Sequence, residues 1–211
     1  MDHLEKGLDM LGLECAPSAV ERLRTYVDEI MLFNPAYGLV SVCGIDELVT
    51  RHILDCAGGV PVIAGCIGSD ARVADLGSGA GLPGIVLAIL MPDVHFVLIE
   101  RMKRRVDFLN NVVARCRLSN VEIVPRDVSH VDDTFGCITM RAFHPVGDII
   151  RDVSRLLAPA GRVCAYKAQK SYVEKEMEGI DGWSADLVPL SIPFLGEERA
   201  MLVLCREGDR I

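Results

Sequence analysis

The sequence has no C-x-x-C pair, no long apolar run and no excess of basic charge, and each absence removes a class of protein. Its eight cysteines stand far apart, at Cys15, Cys43, Cys56, Cys66, Cys116, Cys137, Cys164 and Cys205. Zinc-ribbon and redox-dithiol readings therefore lose their main support, and no metal is expected. The start, Met1-Asp2-His3-Leu4-Glu5-Lys6, is polar and lacks a signal-peptide core, which points to reduced thiols in a cytoplasmic protein. The longest apolar stretches, 84–91 and 94–99, fall far short of the ~20 residues a membrane helix needs. Lys plus Arg number 22 against 30 for Asp plus Glu, a net charge of −8. A general polyanion binder is excluded, and any nucleic-acid contact must come from a local basic patch. There is no internal repeat or low-complexity tract, and no nucleophile–histidine pair or carboxylate pair stands out. What remains, at 211 residues with half of them apolar and a quarter charged, is one globular domain with room for a short terminal extension.

Residues 1–69 read as a helical extension. Leu4, Leu8 and Leu11 suggest a short helix. The pattern Ser18-Ala19-Val20-Glu21 looks like a capping box opening a helix to Phe33, with Val20, Leu23, Val27, Ile30 and Met31 on its apolar face. Asn34 to Gly38 reads as the turn that ends it. Asp46-Glu47 opens a further helix carrying Arg51, His52 and Asp55, where an ion pair between Arg51 and Asp55, four apart, is the ordinary expectation. From residue 70 to 211 the texture changes to strands alternating with helices: strands at 72–76, 94–99, 121–124, 136–139 and 162–166, with helical patterns between them. Such alternation predicts an α/β fold with a mostly parallel sheet covered on both faces. The runs 187–192 and 200–205 suit an antiparallel hairpin at the sheet edge.

The segment Asp75-Leu76-Gly77-Ser78-Gly79-Ala80-Gly81-Leu82-Pro83-Gly84 lies where the first strand turns into the first helix of that core. An open α/β sheet places its ligand there, and glycine permits both the tight turn and close backbone approach. Gly79, Gly81 and Gly84 match the dinucleotide spacing G-x-G-x-x-G. Asp75 followed by Gly77, Gly79 and Gly81 also matches the D-x-G-x-G-x-G signature of enzymes that use S-adenosylmethionine. Glu100, at the end of the next strand, could hold the ribose hydroxyls of either ligand. The long helical lead and the short remainder favour a methyltransferase over a hydride-transferring NAD oxidoreductase. A noncatalytic cofactor-binding protein is the alternative from another class.

Other residues cluster by position rather than by motif. Arg141 follows a strand at the ligand-binding edge, which suggests that it holds ligand and that its loss leaves the unliganded fold intact. Lys167 and Gln169 end the next strand on that edge and could reach a target base or phosphate, while His52 could contact RNA or cofactor. In the basic run beginning at Arg101, Met102, Val106 and Leu109 take the buried face. Arg101, Arg104, Arg105 and Arg115 are then left outside, with Arg104 and Arg105 the chief candidates for phosphate contact.

Five blocks then occur in order: Phe33-Asn34-Pro35-Ala36-Tyr37 with Ser41-Val42, Arg51-His52-Ile53-Leu54-Asp55, the glycine loop through Ile85, Met140-Arg141-Ala142-Phe143, and Tyr166-Lys167-Ala168-Gln169. Together they resemble the ribosomal small-subunit methyltransferase G family (RsmG, also called GidB, glucose-inhibited division protein B) through nearly the whole chain. The resemblance implies a Rossmann-like class I S-adenosylmethionine-dependent fold with a seven-stranded sheet. It also implies methylation of N7 of a guanine in 16S ribosomal RNA, conventionally numbered 527, within the small subunit or an assembly intermediate. By motif matching, Gly77 and Leu82 fall on positions that hold the cofactor, Val128 and Ser129 beside its adenine, and Arg141 on a further binding position. Ser129 stands where an acidic residue is common, and Asp127 lies two residues earlier.

Overall fold

Runs rich in valine, isoleucine and leucine supply the strands, because branched side chains fit a pleated surface that is buried on both sides. The computed structural model describes residues 2–68, 72–142, 146–167 and 180–209. The strands are β1 (Arg72–Leu76), β2 (His95–Ile99), β3 (Val121–Val124), β4 (Phe135–Arg141), β5 (Leu157–Lys167), β6 (Trp183–Leu190) and β7 (Arg199–Arg206), ordered β3-β2-β1-β4-β5-β7-β6. The first five run parallel, and β7 is antiparallel to both β5 and β6. The expected edge hairpin is therefore present, with its second strand inserted next to β5. The chain order reverses between β1 and β4, so a ligand crevice opens at the carboxyl ends of these strands.

Alternation along the strands sends their side chains to two cores. Val73, Phe96 and Leu98 face one layer, while Ala74, Leu76, Val97 and Ile99 face the other, where Val153 and Leu156 of α8 (Val146–Leu156) cover them. The first layer holds α6 (Gly84–Leu90) and α7 (Lys103–Arg115) together with the N-terminal helices. Those are α1 (His3–Met10), α2 (Pro17–Tyr37), α3 (Ile45–Leu48), α4 (Asp55–Ala57) and α5 (Val60–Cys66). Leu23, Tyr26, Ile30, Leu48, Ile53 and Ile63 are fully buried in the same cluster as Val73 and Phe96. At ~1.5–3 kcal/mol for each large apolar side chain buried, this contact fixes the helices firmly on the sheet.

Three local expectations are corrected. The helix α2 starts at Pro17 on an Ala16 N-cap that makes no side-chain bond; the capping box sits instead at Asp2 and Glu5, heading α1. The same helix runs through Asn34-Pro35 to Tyr37 and stops at Gly38, which adopts φ 59°. A proline in the last turn forfeits only one backbone bond, whereas the left-handed glycine ends the helix outright. Finally, residues Val49–Leu54 form a π-helical segment between α3 and α4. Its wider turn takes Arg51 and Asp55 off a common stripe, so they do not pair. Arg51 reaches Glu47 at 3.3 Å and Glu197 at 2.6 Å, while Asp55 points inward. The eight cysteines are free thiols, and among the described residues no helix is long and apolar enough to cross a membrane.

Candidate active site

The glycine loop is held from three sides. Gly77 and Ser78 donate their backbone N–H groups to the Ile99 carbonyl at 2.9 and 3.2 Å, tying the turn to the end of β2. Gly77, Gly79 and Gly81 have φ values of 67°, 59° and 93°, a region that residues with a Cβ rarely enter. A Cβ on Gly84 would overlap Leu98 and Asp75, so this last glycine serves helix–strand packing and lets its N–H reach Asp75 Oδ2 at 3.0 Å. From the other side, the buried hydroxyl of Tyr26 in α2 donates to the Ala80 carbonyl at 2.8 Å.

Asp75, the penultimate residue of β1, is completely buried. One carboxylate oxygen accepts from Gly84, and among the described residues nothing donates to the other, Oδ1. Burial pushes its carboxyl up to about 7, with the Gly84 N–H pulling the other way and the Glu100 charge reinforcing the rise. Glu100, buried just beyond β2, accepts from the Gly79 N–H at 2.9 Å and from the Met102 N–H at 2.8 Å, with Arg105 at 3.6 Å. Next to it opens a cavity of about 350 Å³ lined by Gly77, Glu100, Met102, Arg105, Asp127 and Val128, among others. Ala142 after β4 and Ile149 and Asp152 of α8 close its far wall. The size falls in the range of small-ligand sites. Gly79, Gly81, Leu82, Asp75 and Ser129 are not among its walls: they shape the loop beneath or beside it. Ser129 spends both its N–H and its hydroxyl on Asp127 Oδ1, at 3.1 and 2.8 Å, fixing the short helical turn after β3.

Arg141 is differently placed from the sequence expectation. Its guanidinium turns toward the N-terminal helices: Nε lies 3.4 Å from Asp55 Oδ2, Nη1 reaches the Cys56 thiol and the His52 carbonyl, and Nη2 reaches the Arg51 carbonyl and His52 Nδ1. Both Nη groups are thus hydrogen-bonded within the protein, Nε faces a carboxylate, and the side chain is 15% exposed. In the unliganded fold the side chain thus also faces a buried carboxylate, Asp55, a contact the sequence did not suggest. Asp55 also meets Arg199 at 3.3 Å, and Arg199 in turn meets Glu197 at 3.1 Å. Burial pushes the Asp55 carboxyl up, against the pull of these two guanidiniums. His52, half-buried beside Arg141, is pushed down to about 4, first by burial and then by that positive charge, so it is a neutral acceptor at neutral pH. Lys167 ends β5 in register with Ala200 on the same edge, and Gln169 lies outside the described residues.

The family model described as rRNA small subunit methyltransferase G matches residues 19–203. This chain belongs to that family. A relative in Cupriavidus necator, named ribosomal RNA small subunit methyltransferase G, is 34% identical, with 98% of this chain and 95% of the relative covered. The like-named protein of Treponema pallidum is 36% identical over 90% of this chain and 86% of its own. Among solved structures, a precorrin-6y C5,15-methyltransferase from Geobacter metallireducens superposes with a TM-score of 0.55 at 15% identity, covering 82% of this chain and 92% of that one. Fibrillarin from Aeropyrum pernix, solved with natively bound S-adenosyl-L-methionine, gives a TM-score of 0.51 at 16% identity over 71% of this chain and 73% of its own. The class I methyltransferase fold is shared with both.

In this member of the methyltransferase G family the basic run divides by partner. Arg105 lines the cavity, Arg115 reaches across at 2.9 Å to the buried Glu29 of α2, and the exposed Arg101 meets Asp127 at 3.2 Å. Arg115 is therefore outside, as expected, and from there also clamps α7 to α2. Arg104 lies over the Tyr37 ring, 5.8 Å from its centroid. Sequence patterns missed Tyr26 and Arg199, and gave Asp55 the wrong partner. The signal available for Tyr26 was a tyrosine among the aliphatic positions Leu23, Val27 and Ile30: a hydroxyl buried there requires a partner. Arg199 gave no local signal, since its partner Asp55 is distant in sequence.

Proposed function

We propose that this chain transfers a methyl group from S-adenosylmethionine to N7 of a guanine in 16S ribosomal RNA. The observation that carries the reading is the convergence of Gly77, Glu100 and the Asp127–Val128 turn on one cavity at the carboxyl ends of β1, β2 and β3. The residues present fit the cofactor. The Asp75 carboxylate, accepting from the Gly84 N–H, holds the loop from beneath. The left-handed Gly77 presents bare backbone, and the Glu100 carboxylate offers an acceptor for ribose hydroxyls. Val128 and Asp127 would flank the adenine. Bound there, the cofactor supplies an electrophilic methyl group.

The protein's part is positional. Guanine N7 carries a free in-plane lone pair, so no proton leaves before attack and no general base is needed. Holding nitrogen, methyl and sulfur in line and excluding water supplies the acceleration; proximity alone is worth up to ~7–11 kcal/mol in well-oriented cases. Names of the relatives support ribosomal RNA of the small subunit as the substrate class, and the N7 position follows from the resemblance of the whole chain. A cytoplasmic location follows from that substrate.

The deciding experiment is labelled methyl transfer to small subunits from cells lacking the enzyme, followed by mapping of the modified base. Label at a guanine N7 is expected; binding of cofactor without transfer would establish the noncatalytic alternative. In parallel, S-adenosylmethionine is expected to raise the thermal midpoint while NAD does not. Gly79→Asp is expected to abolish that shift, since it forces a side chain into a left-handed position and sets a carboxylate beside Glu100. Stabilisation by NAD alone would refute the methyltransferase reading.

A further inference from the structure

The loop between β6 and β7 stands at the same sheet edge as the glycine loop, because β7 runs antiparallel and pairs its Ala200 with Lys167 at the end of β5. At its tip Phe194 is 48% exposed and adopts φ 64°. A bulky residue in the left-handed region is an outlier, and one that also leaves half an aromatic ring in water gains little by burial. One face of the ring rests on His3 of α1, with centroids 4.3 Å apart and planes 29° apart. His3 is itself fixed by a 2.7 Å hydrogen bond between Nε2 and Thr50 Oγ1. Around this stack lies a pocket of about 490 Å³ whose walls include Thr50, Arg51 and Glu197. The ring is thus a braced, flat, partly open surface.

We propose that Phe194 is a stacking platform for a nucleobase that neighbours the target guanine in the RNA substrate; the inference rests on the RNA reading above. Charge favours a base over a phosphate. Glu47 is committed to the Cys43 N–H and to Arg51, and Glu197 to Arg51 and Arg199, so the rim's cations are already neutralised. Asp46 on the same rim would repel a phosphate. A π face meets neither obstacle, since every base can stack on an aromatic ring. Placement agrees: Ala142, just after β4, is in the cavity wall, and β7, which the Phe194 loop enters, is separated from β4 by β5 alone, so both places open on one edge that a splayed single strand can cross. The Arg141–Asp55–Arg199 chain of ion pairs joins the two places.

The test compares Phe194→Ala, Phe194→Leu and Phe194→Trp in methyl transfer to unmethylated small subunits. Loss of the flat ring in the Ala and Leu variants is expected to raise KM for the subunit about tenfold. Turnover at saturation, stabilisation by S-adenosylmethionine and the melting temperature should be kept, and the Trp variant should restore KM. In a Trp183→Phe background, which removes the chain's single tryptophan, the emission of Phe194→Trp is expected to be quenched by substrate RNA. A wild-type KM in Phe194→Leu would make the residue an apolar clip on α1 and overturn the proposal. So would losses that track a lower melting temperature without rescue by Phe194→Trp, or the absence of quenching. If the wild-type protein binds RNA and quenching occurs but no methyl is transferred, the enzymatic reading fails while the platform stands.

Discussion

Replacing Arg141 with methionine keeps the aliphatic bulk and removes the charge from a buried cluster. Deleting one partner of a buried ion pair costs ~3–5 kcal/mol, because the other charge is left desolvated. Here the low end applies, since Asp55 retains Arg199 at 3.3 Å. At about 3 kcal/mol, and with each kcal/mol worth roughly 2–4 °C in a chain of this length, the unliganded melting temperature should fall by about 6–12 °C. The deficit should depend on pH. Burial already raises the Asp55 carboxyl and Arg141 opposes it, so without the arginine the folded state holds the proton more tightly than the unfolded chain does. Stability is then lost as pH rises, and the deficit is smaller near pH 4 than near pH 8. Thermal unfolding of Arg141→Met, Asp55→Asn and the double variant across that range measures both effects, and the double variant should fall short of additivity. A drop below about 2 °C together with abolished methyl transfer would show that the ion pair carries little stability and return Arg141 to a purely ligand-holding role.

The two arginines of α7 should separate when changed singly. Arg104→Glu is expected to weaken substrate binding and to flatten the dependence of log K on log salt by about one unit with cofactor affinity unchanged; Arg105→Glu should weaken cofactor binding, because that residue lines the cavity beside Glu100. Equilibrium titrations with each ligand check this, and identical behaviour of the two variants would contradict the division. His52 takes a proton near its usual pKa when unfolded but only at about 4 when folded, so the wild-type protein should lose stability as pH falls through that interval. The acid limb of a stability–pH curve should be shallower for His52→Asn, whose amide oxygen still accepts from Arg141; coincident limbs would remove His52 from that role.

Much of the core was legible because its signals are local. Period-2 and period-3.6 patterns located β1, β2, β3 and α7, and a glycine loop between strand and helix located the crevice without any partner being known. Glu100 was found by its place after β2. The strands β4 and β5 extend further than their apolar runs, since pairing with neighbours, including the register shift between Phe135 and Cys137, holds residues that composition alone would not. The π-helical segment was invisible because nothing in the short run Val49-Thr50-Arg51-His52-Ile53-Leu54 distinguishes an i→i+5 turn from an ordinary helix; Thr50, Ile53 and Leu54 within it are buried. Arg141 shows the limit most clearly. Its position at a strand end was readable, but its direction depends on Asp55 and His52, which lie some ninety residues earlier in the chain and arrive only when the helices dock.

That docking changes what the N-terminal helices are for. Were they only a cover for the sheet, their buried surface would be apolar throughout, and the polar contacts they make would lie at their rims. Instead, three buried polar contacts cross from them to the ligand edge: Tyr26 to the Ala80 carbonyl of the glycine loop, Asp55 to Arg141 and Arg199, and the Cys56 carbonyl accepting from Tyr166 at 2.7 Å. A buried donor left without its acceptor costs ~1–3 kcal/mol, so each contact fixes the relative position of helix and edge more narrowly than apolar packing does. The consequence concerns the reaction. An enzyme that supplies no acid or base, and depends on alignment alone, loses rate when a wall of its site shifts by an ångström. Buried hydrogen bonds from Tyr26 and Tyr166 and the Asp55 ion pairs, placed under the loop and behind the strand ends, are the kind of support such a site requires.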